Sequence, residues 1–257
     1  MKNKSCLVEV VIPIYKGDIS VLERRSLQQV YDVLNKHPLT VIKPESLDLS
    51  ELVTDFPLLR VKSFEDRFFN GIRGYNRLML SDTFYSGFIH AKHILIYQLD
   101  AYVFRDELSY WCDKGYDYIG APWLKKPIYN APVISLIMNA FRIINKRKGK
   151  KDKQELYNKT GNGGFSLRNV DSHYEVTITQ QEKINFFLAQ KGHLYNEDVF
   201  WATVESFRYP EAIEALAFAF DKYPSLCYKL NNNQLPFGCH GWYKRKMKSF
   251  WKPVIGF

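Results

Sequence analysis

The stretch HILIYQLDAYV at residues 93–103 decides the fold. Its first half, His93–Tyr97, is the most apolar strand-like run of the chain, and it leads directly into Gln98–Leu99–Asp100. Such a run, closed by polar residues, reads as a strand buried on both faces. Upstream, LVEVVIPI at 7–14 gives a second buried strand ending at Pro13. Between the two, Ser20–Leu34 carries Val21, Leu27, Val30, Tyr31 and Leu34 on one helical side. Leu39–Ile42 (LTVI) is a strand stopped by Pro44, and Arg60–Lys62 is another short one. Tyr75–Phe88 reads as one buried helix, and Tyr116–Gly120 (YDYIG) as a further strand. Strands alternating with helices predict an α/β fold with a mostly parallel central sheet. Ligands of such sheets bind beyond the carboxyl ends of the strands, which points to Pro13–Lys16 and Gln98–Tyr102.

The second half is less regular. Val133–Ile144 is apolar, Asn145–Lys153 is lysine-rich, and Gly161–Arg168 (GNGGFSLR) is a glycine-rich turn into a strand at Phe165–Leu167. Glu182–Gln190 and Asn196–Val204 read as helices, and Asn231–His240 as a polar loop ending in PFGCH. We expect one domain over 1–257, with an insert at about 130–158 and a basic tail at 243–257.

The 257 residues are 46% hydrophobic and 16% aromatic, with a net charge of +9. That composition excludes disorder over most of the length, and no apolar run reaches the roughly 18 residues of a membrane span. The charge is local: residues 141–153 carry a net +6 and residues 244–252 a net +5, which leaves −2 for the rest. A broad nucleic-acid-binding face is therefore not expected. Leu7–Ile14 is interrupted by Glu9 and lacks a following small-residue cleavage site, unlike a signal peptide. Cys6, Cys112, Cys227 and Cys239 are scattered, with no zinc or redox spacing, which suits a reducing cytosol.

Asp100 leads the residues that can do chemistry. A carboxylate straight after a buried strand is costly without a partner. A helix cap or ion pair explains it, and so does a role as ligand to Mg²⁺ or Mn²⁺, hard cations that also bind diphosphate. Asn196 as N-cap would place Glu197 and Asp198 in a first helical turn, where the helix dipole favours carboxylates. Asp198 can serve as a general base with Glu197 orienting a substrate, although acidic residues at helix starts are common. Gly163 and Gly164, with Asn162, either form a turn or let the backbone approach a sugar. Trp123, Trp201 and Trp242 can stack on sugars or fill a core. Arg73 and Arg77 lie one turn apart and meet phosphate or only water.

LDAYVF at 99–104 resembles the region around the DxD motif of GT-A glycosyltransferases, with Gln98 where the first aspartate would stand. GYNRLMLS, YQLDAYVF, YDYIGAPW, GNGGFSLR, NEDVFW and PFGCH together resemble a bacterial family of glycosyltransferases distantly similar to fringe-like and β-1,3-galactosyltransferases. The likeness covers residues 7–242. It implies a GT-A-like, Rossmann-type domain transferring a sugar from a nucleotide-sugar donor, UDP-linked, with inversion, in surface polysaccharide synthesis. The acceptor it implies is a glycan or lipid-linked glycan. It further implies a Mn²⁺ or Mg²⁺ held by Asp100 and His240. Pro13, Tyr15, Lys16, Arg73, Asn76, Arg77, Gln98, Asp100 and Ala101 would then meet the donor. Trp123, Asn162, Gly163, Gly164, Glu197 and Trp242 would meet the acceptor sugar. One divalent ion about 4 Å from a unit negative charge contributes roughly 8 kcal/mol at an effective dielectric near 20. Gln98 supplies no charge, which leaves a non-catalytic nucleotide- or glycan-binding protein as an alternative.

Both basic segments are interleaved with apolar residues. Val133–Ile144 has a narrow polar stripe of Ser135, Asn139 and Arg142, and the tail carries Phe250, Trp251 and Phe257. This is the layout of an interfacial helix with polybasic neighbours, or of a core helix followed by a solvated loop. The first reading places a cytoplasmic protein on the inner face of an anionic membrane. Basic–aromatic interleaving also occurs in single-strand nucleic-acid binders, but the −2 body speaks against that.

Overall fold

The computed structural model describes residues 4–148 and 151–257, without the Lys146 side chain. Gly149 and Lys150 of the basic run therefore lie outside the described residues. The strands are β1 (Cys6–Pro13), β2 (Leu39–Pro44), β3 (Leu59–Phe64), β4 (Ala91–Tyr97), β5 (Ala101–Val103), β6 (Tyr118–Gly120), β7 (Phe165–Asn169), β8 (Ala219–Phe220) and β9 (Gly238–His240). Six of them form a central sheet in the order β3-β2-β1-β4-β7-β6. β3, β2, β1 and β4 run parallel, and β7 is antiparallel to both β4 and β6. This is the α/β, mostly parallel sheet that the alternation of elements predicts.

Alternation along the strands explains why both faces are covered. Val8, Val10 and Ile12 of β1 join Leu95 and Tyr97 of β4 in one core layer, beneath Leu27 and Val30 of the helix Val21–Val33. Val11, Ile94 and Ile96 face the opposite layer, which is built on the helices Gly71–Met79, Asp82–Ser86, Val170–Thr179 and Glu197–Trp201. Strands buried this way read as continuous apolar runs. Ser20 starts the helix Val21–Val33 with a capping box: Glu23 N donates to Ser20 Oγ, and Ser20 N donates to Glu23 Oε2.

A second sheet has the order β5-β9-β8, with β9 antiparallel to β5 and parallel to β8. It carries a third apolar cluster that includes Cys239, Trp242 and Trp251. All four cysteines are free thiols.

The structure corrects several expectations. Tyr75–Phe88 is two helices, because Ser81 ends the first and its Oγ accepts from Phe84 N at 3.2 Å to start the second. The polar loop after Asn231 closes as strand β9, since three residues pairing with β5 are too few for a periodic signal. Trp251 has no exposed surface and stacks on Phe104, so the aromatic residues of the tail pack inward rather than forming a headgroup face. The segment 133–144 does form a helix, Pro132–Arg147, but not a core helix, because its apolar side chains are exposed.

Candidate functional site

β1 has β2 on one side and β4 on the other, so crossovers leave in opposite directions and open a crevice beyond their carboxyl ends. A cavity of about 710 Å³ occupies that crevice. It is lined by Pro13–Lys16 after β1, Gln98–Asp100 after β4, the loop Asn162–Gly164 before β7, and Asn196–Asp198. His240, Tyr243 and Lys244 close it from the C-terminal segment, with Ile72, Tyr75 and Asn76 opposite.

The small sheet sets the acidic end of this cavity. Asp100 immediately precedes β5, His240 ends β9, and Asp221 follows β8. Ala101 pairs with His240, and Gly241 N donates to the Asp100 carbonyl at 2.7 Å. Asp100 Oδ1 thereby stands 2.9 Å from His240 Nε2, and Oδ2 stands 2.7 Å from Lys244 Nζ. Burial alone would raise the Asp100 carboxyl, but His240 and Lys244 hold it well below the carboxylate range. Burial would likewise lower the His240 imidazole, but Asp100 and Asp221 raise it to about 9. Asp221 Oδ1 lies 3.2 Å from His240 Nδ1, a carboxylate that fixes the ring from behind.

The donor set can be tested against a divalent cation. His240 Nε2 is buried without an aligned hydrogen bond, despite the Asp100 oxygen beside it. Two donors 2.9 Å apart match adjacent ligands of a six-coordinate ion, which stand about 3 Å apart at bond lengths near 2.1 Å. A Cβ on Gly164 would lie 2.3 Å from His240 Nε2 and 2.7 Å from Gln98 Oε1, so both atoms gather over this glycine. A carboxylate oxygen, an imidazole nitrogen and an amide oxygen are donors of the kind that Mn²⁺ or Mg²⁺ would take. Among the described residues, no cluster of three His, Cys, Asp or Glu side chains could hold a metal. The fit therefore rests on two such ligands and Gln98.

The second carboxylate pair is of a different kind. Glu197 is buried against Arg168, with Nη2 3.0 Å from Oε2. Arg168 also donates to Tyr85 Oη and Ser166 Oγ, and its pair with Glu197 ties β7 to the helix Glu197–Trp201. Burial pushes the Glu197 carboxyl up to about 7, against the pull of Arg168. Asp198 accepts from Val199 N at 2.8 Å, and its carboxyl is raised by burial. It lines the cavity and, among the described residues, forms no ion pair.

The glycines make room for the site side chains. A Cβ on Gly163 would stand 1.8 Å from Glu197 Oε1, and one on Gly161 would enter the Trp123 ring. Asn162 holds the turn at φ 67°, where its Oδ1 accepts from Gly164 N. Asn76 lines the cavity, but its amide holds the start of the helix Glu197–Trp201: Oδ1 accepts from Glu197 N, and Nδ2 donates to Asn196 Oδ1.

Six expected contacts are corrected. Trp242 is fully buried against Tyr102 and Phe257, so neither face is free to stack. Trp123 packs on Gly161 and does not line the cavity, and Trp201 is likewise core. Ala101 is buried, with its carbonyl accepting from Ser26 Oγ. Arg73 and Arg77 lie on the exposed side of their helix, away from the cavity. Pro13, Tyr15, Lys16, Gln98, Asp100, Asn162, Gly163, Gly164, Glu197, Asp198 and His240 do converge on it. Sequence reasoning missed Lys244, hidden inside a basic run, along with Asp221, Arg168 and the Tyr75 hydroxyl, which is buried without a hydrogen-bond partner.

A family model described as protein of unknown function, DUF5672, matches residues 58–240. The chain belongs to that family. The DUF5672 match runs from just before β3 through His240, and so takes in Asp100, the glycine loop and Asp198. No curated protein sequence matches the chain. Among solved structures, the galactosyltransferase LgtC in complex with donor and acceptor sugar analogues is similar at 12% identity and a TM-score of 0.53, over 96% of this chain and 95% of that one. Mouse xyloside xylosyltransferase 1 is similar at 13% identity and a TM-score of 0.51, over 91% and 97%. The bifunctional glycosyltransferase WbbM is similar at 13% identity and a TM-score of 0.53, over 92% of this chain but only 46% of its own. The DUF5672 chain thus has the GT-A-like fold of these glycosyltransferases.

Proposed function

We propose that this protein is a metal-dependent glycosyltransferase. It moves a sugar from a nucleotide-sugar donor, UDP-linked, to a glycan or lipid-linked glycan acceptor, with inversion, in surface polysaccharide synthesis. The observation that carries the reading is the convergence of Asp100, His240 and Asp198 on one cavity, at the carboxyl ends of the two central strands. Asp198 takes the proton of the acceptor hydroxyl as its oxygen attacks the anomeric carbon and the nucleoside diphosphate departs. Such base catalysis contributes about 10²–10⁴ in rate. Asp100, His240 and Gln98 would hold Mn²⁺ or Mg²⁺, which when bound neutralises charge on the diphosphate. Lys244 and Lys16 line the same cavity and add positive charge for the leaving group. Pro13 and Tyr15, at the end of β1, offer a wall for the nucleoside, and Glu197 orients the sugar from its seat on Arg168.

Thermal shift with nucleotide sugars tests the reading. At a donor concentration of about 100 Kd, binding stabilises by about 2.7 kcal/mol. For a chain of this size that raises Tm by roughly 5–10 °C. We expect the shift to require Mn²⁺ or Mg²⁺ and to vanish in Asp100→Ala. Asp198→Asn should keep the shift and lose about 10²–10⁴ in turnover. No shift with any donor would overturn the reading.

One observation favours a second reading, a non-catalytic nucleotide or glycan binder. Gln98 is uncharged, and Lys244 occupies the second oxygen of Asp100. Donor binding without release of nucleoside diphosphate would select it.

A further inference from the structure

The helix Pro132–Arg147 turns its apolar side outward. Val133, Leu136, Ile137, Phe141 and Ile144 are between 44% and 72% exposed, and Ala140 is exposed among them. Their spacing of three and four residues puts all six on one stripe, roughly 17 Å long at 1.5 Å per residue. The side toward the protein is formed by Ile134, Ser135, Met138 and Asn145. It is held there by Gln154 Nε2 donating to the Met138 carbonyl and Asn145 Nδ2 donating to Asp152. A contiguous apolar stripe facing water marks an interaction surface.

Charge names the occupant. Residues 132–148 contain no acidic side chain, Arg147 and Lys148 are exposed at the C-terminal end of the stripe, and Lys153 is exposed in the segment that follows. Lys151 does not contribute, because its Nζ sits 3.7 Å over the Phe187 ring. An apolar stripe flanked by basic residues complements an anionic lipid surface, acyl chains against the stripe and headgroups against the cations. Pairing with a second copy would bring two windows of net +6 together, which opposes a dimer.

We infer that this helix docks the protein on an anionic membrane, with the stripe Val133–Ile144 inserted at the headgroup boundary. The segment that carries the helix is continuous in the chain with one wall of the cavity. It leaves and rejoins the body where Trp123 N donates to the Lys159 carbonyl and Gly161 N donates to the Ala121 carbonyl. The next residues, Asn162–Gly164, are cavity wall. A protein held on a membrane by this segment is suited to a lipid-linked glycan as acceptor. That last step rests on the proposed function; the docking does not.

Vesicle flotation tests it, using the full chain and no substrate. The protein should float with vesicles of phosphatidylcholine and phosphatidylglycerol at low salt. It should remain at the bottom with phosphatidylcholine alone. Leu136→Glu/Phe141→Glu should lower partitioning by about tenfold or more per residue. These side chains are exposed, so the variant should keep the parent's circular dichroism and Tm. Recovery of the parent at the bottom with anionic vesicles would overturn the inference. Equal flotation of parent and variant would overturn it too, as would a dimer that the variant dissolves without any flotation. Flotation with no donor-induced thermal shift would remove the glycosyltransferase reading and leave the docking.

Discussion

At the residue scale, burial decides what each titratable group can do. His93 of β4 has neither ring nitrogen hydrogen-bonded, and burial lowers its imidazole to about 4. In the unfolded chain the same ring titrates near 6.5. The unfolded state therefore binds a proton that the folded state refuses between those values. The His93 contribution is full above pH 6.5, falls as pH drops, and stops falling near pH 4. It amounts to about 3 kcal/mol. Denaturant titrations of the parent and of His93→Leu should diverge by about that amount across this window; parallel curves would clear His93 of the effect. None of this is legible in HILIY, where a histidine in an apolar run is open to any role. Asp100 was legible because a charge next to a buried strand demands a partner. His240 came only with the family resemblance, and Lys244 was not legible at all, because both lie more than a hundred residues away in the chain.

At the element scale, long strands and short strands behave differently. β1 and β4 announce themselves through apolar runs, and the parallel sheet follows from them. β5, β8 and β9 have only two or three residues each, too few for any periodicity to be read. Yet these three strands bring Asp100, Asp221 and His240 together. Asp221 was therefore invisible to sequence reasoning, and the aromatic-rich tail that packs beneath it was misread as a surface. Asp221→Asn keeps the shape but removes the charge that orients His240. We expect Mn²⁺ affinity to fall about 10–100-fold by calorimetry, with Tm little changed. Unchanged affinity would show that the Asp221 charge does not orient the ring, which Asn162 Nδ2 also meets at Nδ1, 2.9 Å away.

For the whole molecule, stability is unevenly spread. The central sheet is buried on both faces, whereas no residue of the helix Pro132–Arg147 with a described side chain is fully buried. Hydrogen exchange should reach global protection in β4, and that helix should exchange orders of magnitude faster through local opening. Anionic vesicles should slow the helix and leave β4 unchanged, which mass spectrometry reads segment by segment. The net +9 pointed to local basic edges, and the structure divides them further. Lys244 belongs to the cavity, Lys151 to an aromatic contact, and the remaining exposed cations of 141–153 to the outward helix.

The small sheet has one more consequence, for how the protein can be switched off. Residues 211–257 supply no strand to the six-stranded sheet, yet they carry Asp221, His240 and Lys244. A cut or local melting in that segment would disarm the cavity while most of the scaffold stayed standing. Assembly of the site thus waits until residues 211–257 have been made and folded. Up to that moment, the nascent protein holds Asp100 as a lone carboxylate with nothing to grip.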